Sequence, residues 1–249
     1  MKRILVATFI LCTFFYTKTQ QVPMKIFVLA GQSNMEGYAP VPQSQEIRSN
    51  IKVWTPTGWK IASEPLQETY ASPGMGFAMA LQDLYGASYD IGLVPCAVSG
   101  STIEQWQKGQ PYYNDCLSKT QAALATQPGT YISGLLLAQG EANTYTQASA
   151  DGWVNLALAF ARDFRTDTGN LAVPFLYAQL GKDPLLPTHP YWTYLQGLQA
   201  TLQNPSVYPY IRMVKTLDLS TNAQHFADAE TYSILGRRFA SVYYANFGQ

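Results

Sequence analysis

Charged side chains are scarce in this chain of 249 residues: Asp, Glu, Lys and Arg together make up 13%, about half the usual share of roughly 25%. Sixteen basic and sixteen acidic residues cancel to zero, so no net field gathers a phosphate backbone or an anionic bilayer. Nucleic acid is therefore a poor candidate partner. Only two histidines and three cysteines occur, without the spacing of a metal cluster, so neither a metal nor a cofactor is expected. Beyond Tyr16 no apolar run approaches the roughly 20 residues that a membrane-spanning helix needs.

What the chain does have is a core and neutral polarity. Hydrophobic residues make up 47%, and the length suffices for one large domain or two small ones. With 17 Tyr and 5 Trp beside many Ser, Thr, Gln and Asn, the composition suits neutral, hydroxyl-rich ligands such as carbohydrate. Met1-Lys2-Arg3, the apolar stretch Ile4 to Tyr16 and the polar run Thr17 to Gln21 read as a secretory signal peptide over residues 1–21. Residues 22–249 would then form a single domain, exported to the extracellular space or periplasm. Cys96 and Cys116 remain after removal of Cys12. An oxidising compartment favours their pairing, and two buried thiols are the alternative.

Along the mature chain strands and helices alternate. Buried strands are read at 24–30, 90–98, 131–138, 172–180 and 210–217, and helices at 74–85, 113–126, 146–166, 190–203 and 227–243. The proline- and tryptophan-rich stretch 36–73 fits neither pattern, apart from a small hairpin at 51–62. Repeated βαβ units predict a three-layer α/β/α sandwich around a mostly parallel, flavodoxin-like sheet. Ligands of such sheets bind outside the carboxyl ends of the strands.

The residues standing there carry the chemistry. Gly31-Gln32-Ser33-Asn34-Met35-Glu36-Gly37 follows the first strand, and Ser33 in this turn suits a nucleophile, or equally an N-cap. Ser99-Gly100-Ser101 follows the second strand, where a glycine lets its N–H approach an oxyanion or simply makes a turn. Gln139-Gly140-Glu141-Ala142-Asn143 follows the third. A serine activated by imidazole must use His189 or His225, and His225, before the last helix, is favoured over His189, which is read as a surface loop residue. Trp54, Trp59, Trp106, Tyr112, Tyr145 and Trp153 suit either sugar stacking or packing.

These blocks, in this order on this fold, resemble the SGNH (GDSL-like) serine hydrolases. Gly-Gln-Ser-Asn-Met, then Gln-Gly-Glu, then His-Phe before a C-terminal helix is similar to the branch of sialate O-acetylesterases and the acetylxylan esterases of carbohydrate esterase family six. The resemblance spans about residues 25–242. It implies an acetylated carbohydrate as substrate, with Ser33 as nucleophile and His225 as general base. It also implies an oxyanion hole of Ser33, Gly100 and Gln139 with Asn143 as the alternative third arm, and substrate contacts from Gln32, Asn34 and Met35. Members of this branch carry Asp three residues before the histidine, where this chain has Asn222. In serine proteases the equivalent loss of the acid costs about 10⁴ in turnover. Glu141 or a Ser-His dyad relying on a backbone carbonyl is expected in its place, with Asp218 as a further candidate; Glu141 suits equally a structural acceptor that bridges neighbouring loops. A general short-chain esterase or acyltransferase, and a carbohydrate-binding protein that has lost catalysis, are the rival readings.

Overall fold

Strands that are apolar without alternation are buried on both faces, and the first strand, β1 (Met24–Gly31), is of this kind. Ile26, Val28 and Ala30 join one core cluster, whereas Phe27 and Leu29 join the other. The structure is a computed structural model that describes residues 23–126 and 130–248; the expected signal segment lies outside the described residues. After β1 come the short helix α1 (Ser33–Glu36), the hairpin β2 (Ile51–Thr55) and β3 (Gly58–Ile61), α2 (Pro73–Tyr85) and β4 (Asp90–Pro95). Then follow α3 (Pro111–Ala125), β5 (Tyr131–Ala138), α4 (Gln147–Asp167), β6 (Phe175–Ala178), α5 (Trp192–Ala200) and β7 (Ile211–Val214). A two-stranded hairpin, β8 (Thr221–Asn222) and β9 (His225–Phe226), precedes α6 (Ala229–Phe247).

The main sheet runs β3-β2-β4-β1-β5-β6-β7. All neighbours are parallel except β2 and β3. Its five expected strands, β4-β1-β5-β6-β7, stand in the flavodoxin order 2-1-3-4-5, so the direction of winding reverses between β1 and β5. Ser33 and Gln139 follow the strands that flank this switch point. Several strands are shorter than expected, and proline is the reason at two boundaries. β4 stops at Pro95 and β6 starts after Pro174, because proline brings no N–H to a ladder. The hairpin expected at 51–62 is present, and β2 extends the main sheet alongside β4.

One core cluster packs Tyr113, Trp153, Phe160, Phe164 and Leu195 of α3, α4 and α5 against one sheet face. The other packs Phe77, Leu81, Leu235 and Phe239 of α2 and α6 against the opposite face. Cys96 and Cys116 are joined in a disulfide, with Cα atoms 5.3 Å apart. The bond ties α3 to the loop that follows β4.

A buried carboxylate anchors the start of α2. Ser72, the N-cap, accepts from the Gly74 N–H at 3.2 Å and donates its hydroxyl to Glu64 at 3.0 Å; the Leu66 N–H donates to the other carboxylate oxygen at 3.1 Å. Burial pushes the Glu64 carboxyl up from an ordinary 4.5 to about 7, against the pull of those hydrogen bonds. Between those two values the folded chain keeps a proton that the unfolded chain has released, so stability falls as pH rises through this window. A shift of this size corresponds to about 3 kcal/mol. Chemical denaturation at pH 4.5 and pH 7.5 should show this loss, and Glu64→Gln should remove most of it.

Candidate active site

A glycine brings the first loop into place. Gly31 has φ 130°, and a Cβ there would sit 2.1 Å from the Ala138 carbonyl oxygen, so only glycine lets the ends of β1 and β5 meet. The Gln32 N–H donates to that same carbonyl at 2.9 Å. The chain then turns into α1, whose N-cap is Gln32. The Ser33 hydroxyl is therefore free of a capping role, and its Oγ lies 3.1 Å from His225 Nε2. His225 projects from the β8-β9 hairpin, 192 residues further along the chain.

The side-chain amide of Asn34 holds this pair together. Its Nδ2 donates to Glu141 Oε1 and, at 2.9 Å, to the Gln224 carbonyl. Its Oδ1 accepts from the Phe226 N–H at 3.2 Å and from the Tyr232 hydroxyl at 2.9 Å. Gln224 and Phe226 flank His225, so one amide clamps the histidine segment on both sides and ties it to the segment after β5 and to α6. Both hydrogens and both lone pairs are used. Asn34 therefore has no valence left for substrate, contrary to expectation. Met35 is also withdrawn from substrate, being buried in the core beneath α1.

No carboxylate orients the imidazole among the described residues, where its side-chain hydrogen bond is to Ser33. Glu141 is buried against Asn34, with Oε2 unpartnered, and burial pushes its carboxyl above the ordinary range. It supports the clamp, and does not reach the ring as expected for a triad acid. Asp218 is engaged by Arg238 through two contacts at 2.7 and 2.6 Å, which holds its pKa down to about 2. Asn222 faces His225 across the hairpin and is exposed. Tyr38 supplies a different constraint, stacking on the imidazole at 3.6 Å between centroids and 9° between planes. Burial lowers the His225 pKa below its ordinary 6.5, which keeps the ring neutral near pH 7.

The other expected oxyanion donors separate into two groups. The backbone N–H groups of Ser33 and Gly100 take no intramolecular acceptor among the described residues, and Gly100 has φ 72°, in the left-handed region. Gln139 and Asn143 differ from expectation, because their amides are spent on each other and on the fold. Gln139 Nε2 donates to Asn143 Oδ1 at 2.6 Å and to the Ser101 carbonyl at 3.1 Å, and Trp153 Nε1 fixes Gln139 Oε1 at 2.6 Å. Asn143 Nδ2 donates to Glu104 at 2.9 Å and to Ser149 at 2.7 Å. Gln32 is the motif amide left open at one end: Oε1 accepts from the Ala142 N–H at 3.3 Å and from Gln139 Nε2 at 3.4 Å, while Nε2 has no acceptor among the described residues.

Sequence reasoning missed Glu36, which accepts from the Ser99 N–H at 2.8 Å and from the Ser99 hydroxyl, and so fixes the loop that presents Gly100. His189 is not a surface residue. It is buried, with Nδ1 at 2.6 Å from Thr144 Oγ1 and the ring edge-on to Trp192. Of the aromatic candidates, Trp106 and Trp153 are fully buried, and their indole N–H groups bond Ser101 and Gln139. Trp54 and Trp59 are half-buried.

Asn34→Ala strands the buried Glu141, Tyr232 and Phe226 groups together. The expected loss is about 3 kcal/mol in chemical denaturation, with faster hydrogen exchange at the Phe226 amide. A loss below about 0.5 kcal/mol would contradict the clamp.

Comparison with known proteins places this geometry in a family. A family model described as carbohydrate esterase, sialic acid-specific acetylesterase matches residues 23–245. A probable carbohydrate esterase of Arabidopsis thaliana is 28% identical over 178 residues, 62% of this chain and 68% of that protein. The crystal structure of an Arabidopsis thaliana protein superposes with a TM-score of 0.79 at 24% identity, covering 90% of this chain and 99% of that one. A structure described as a carbohydrate acetylesterase from Xanthomonas citri gives 0.67 at 20% identity, over 90% of this chain and 57% of that one. The layered sheet is shared with a structure described as a member of the lipolytic protein G-D-S-L family from Veillonella parvula, at a TM-score of 0.50 and 8% identity over 88% of this chain and 97% of that one. Since the family match encloses the serine loop, the Gly100 loop and the histidine hairpin, this chain belongs to the sialic acid-specific acetylesterase family of carbohydrate esterases.

Proposed function

We propose that this esterase is an exported carbohydrate O-acetylesterase that removes acetyl groups from xylan-type or sialic-acid-type sugars through an acetyl-serine intermediate. The observation that carries the mechanism is the 3.1 Å approach of His225 Nε2 to Ser33 Oγ, within reach of proton transfer. Export is supported by the N-terminal segment and by the disulfide, a bond typical of oxidising compartments.

In this reading Ser33 Oγ attacks the acetyl carbonyl carbon as its proton passes to His225 Nε2. The N–H groups of Ser33 and Gly100 receive the negative charge on the carbonyl oxygen, each such donor being worth about 3 kcal/mol in the transition state. The carbon–oxygen bond to the sugar then breaks, and His225 returns the proton to the leaving sugar oxygen. Water attacks the acetyl-serine, giving its proton to His225, and acetate departs as Ser33 Oγ is reprotonated. His225 must be neutral to begin, and its burial favours that form.

Acetate release from 4-nitrophenyl acetate and acetylated xylan, compared between the mature protein and Ser33→Ala, tests the proposal. Activity should fall at least about 10³-fold in the variant. It should also rise with pH through an apparent pKa below 6.5, because protonation of His225 on the acidic side removes the base. Folded protein with no activity above Ser33→Ala would favour a carbohydrate-binding protein, the reading to which Asn222 lends weight.

A further inference from the structure

The cavity of about 370 Å³ lined by Tyr38 and the His225 hairpin belongs to the site already described. A larger one, of about 470 Å³, opens beside Thr55 and Pro95, the last residues of β2 and β4. Pro95 pairs with Leu29 of β1, so this cavity shares the sheet edge from which Ser33 follows. β2 lies two strands from β1, about 10 Å across the sheet. Gln67 forms part of the wall and donates to the Ala97 carbonyl at 2.8 Å. Ala97 begins the loop that presents Gly100, so the cavity wall and the Gly100 loop are held together directly.

The lining combines an aromatic surface with mixed polar groups. Trp54 is half-buried and fixed edge-on by Trp59, with centroids 5.2 Å apart. An indole held in this way offers a rigid apolar surface to the C–H face of a pyranose. Gln67 Oε1, the Glu68 carboxylate and the Lys119 ammonium supply acceptors and donors around it, the usual composition of a small-ligand pocket. The charge balance selects the sugar class. Lys119 is already paired with Asp115 at 2.7 Å, and Glu68 stands on the same rim. One cation against two anions gives an anionic sugar no net attraction.

We infer that this cavity is a distal subsite for a neutral sugar unit of an oligosaccharide whose acetylated unit sits at Ser33. The inference rests on the carbohydrate esterase reading, but its test reads binding and needs no turnover. Xylotetraose, cellotetraose, mannotetraose and tetragalacturonate, in which every unit is acidic, are titrated calorimetrically into the mature protein, Trp54→Ala, Trp54→Phe and Glu68→Lys, with thermal unfolding confirming that each variant is folded. At least one neutral tetraose should bind more tightly than tetragalacturonate. Trp54→Ala should weaken that binding by about tenfold or more, and Trp54→Phe should stay within about threefold of the parent. Glu68→Lys, an exposed change that tests charge selection should Trp54→Ala unfold, should tighten tetragalacturonate by about threefold. Failure of all three neutral sugars to bind, unaltered affinity in folded Trp54→Ala, tighter binding of tetragalacturonate to the parent, or no response to Glu68→Lys would each overturn the inference. A loss of Ser33-dependent acetate release alone would count against the esterase reading and leave these binding outcomes standing.

Discussion

Four hydrogen bonds converge on the side-chain amide of Asn34, and the meeting of Ser33 with His225 depends on them. The two residues are 192 positions apart and sit outside the main sheet, Ser33 at the start of the short helix α1 and His225 in the β8-β9 hairpin. The amide next to the serine grips the backbone on either side of the histidine, and Tyr232 and Glu141 hold the amide from α6 and from the segment after β5. A carboxamide serves this purpose well, because it offers two donors and two acceptors in one plane. Burial strengthens the node and makes any missing member costly.

This node bears on the chain's main departure from its branch. An orienting acid sets both the tautomer and the direction of an imidazole, and Asn222 supplies no charge for that purpose. Here the direction of the ring is set by backbone clamping and by the face-on contact with Tyr38. Burial without a partner carboxylate lowers the pKa of the ring, whereas an adjacent acid would raise it. An imidazole in this state would be a weaker base than that of an acid-supported triad, but it is neutral over a wider pH range.

Much of the fold was legible because its signals are local. β1 reads as a strand from seven residues, and α6 from the spacing of Tyr232, Leu235 and Phe239. Ser33 and His225 stood out through the rarity of histidine, the position of Ser33 after a strand, and the resemblance of the ordered motifs. The role of Asn34 was not legible, since an amide beside a candidate nucleophile reads equally as a substrate contact, and its partners lie 107 to 198 residues away. Glu141 misled for the same reason: its acidity is evident in the sequence, but not the neighbour against which it is buried. Gln139 and Asn143 have the amides an oxyanion hole could use, and only the indole of Trp153 and the carboxylate of Glu104 reveal that those groups are already engaged.

The clamp and the tyrosine stack, and not a carboxylate, set the imidazole. The most direct test places the carboxylate back, as Asn222→Asp, and compares the pH profile of kcat/KM for acetate release with that of the parent. The expected change is within about tenfold, with an acidic limb that stays below 6.5. A gain of about a thousandfold, with the limb moved above 6.5, would show that the ring had lacked its orienting partner, and would contradict the account.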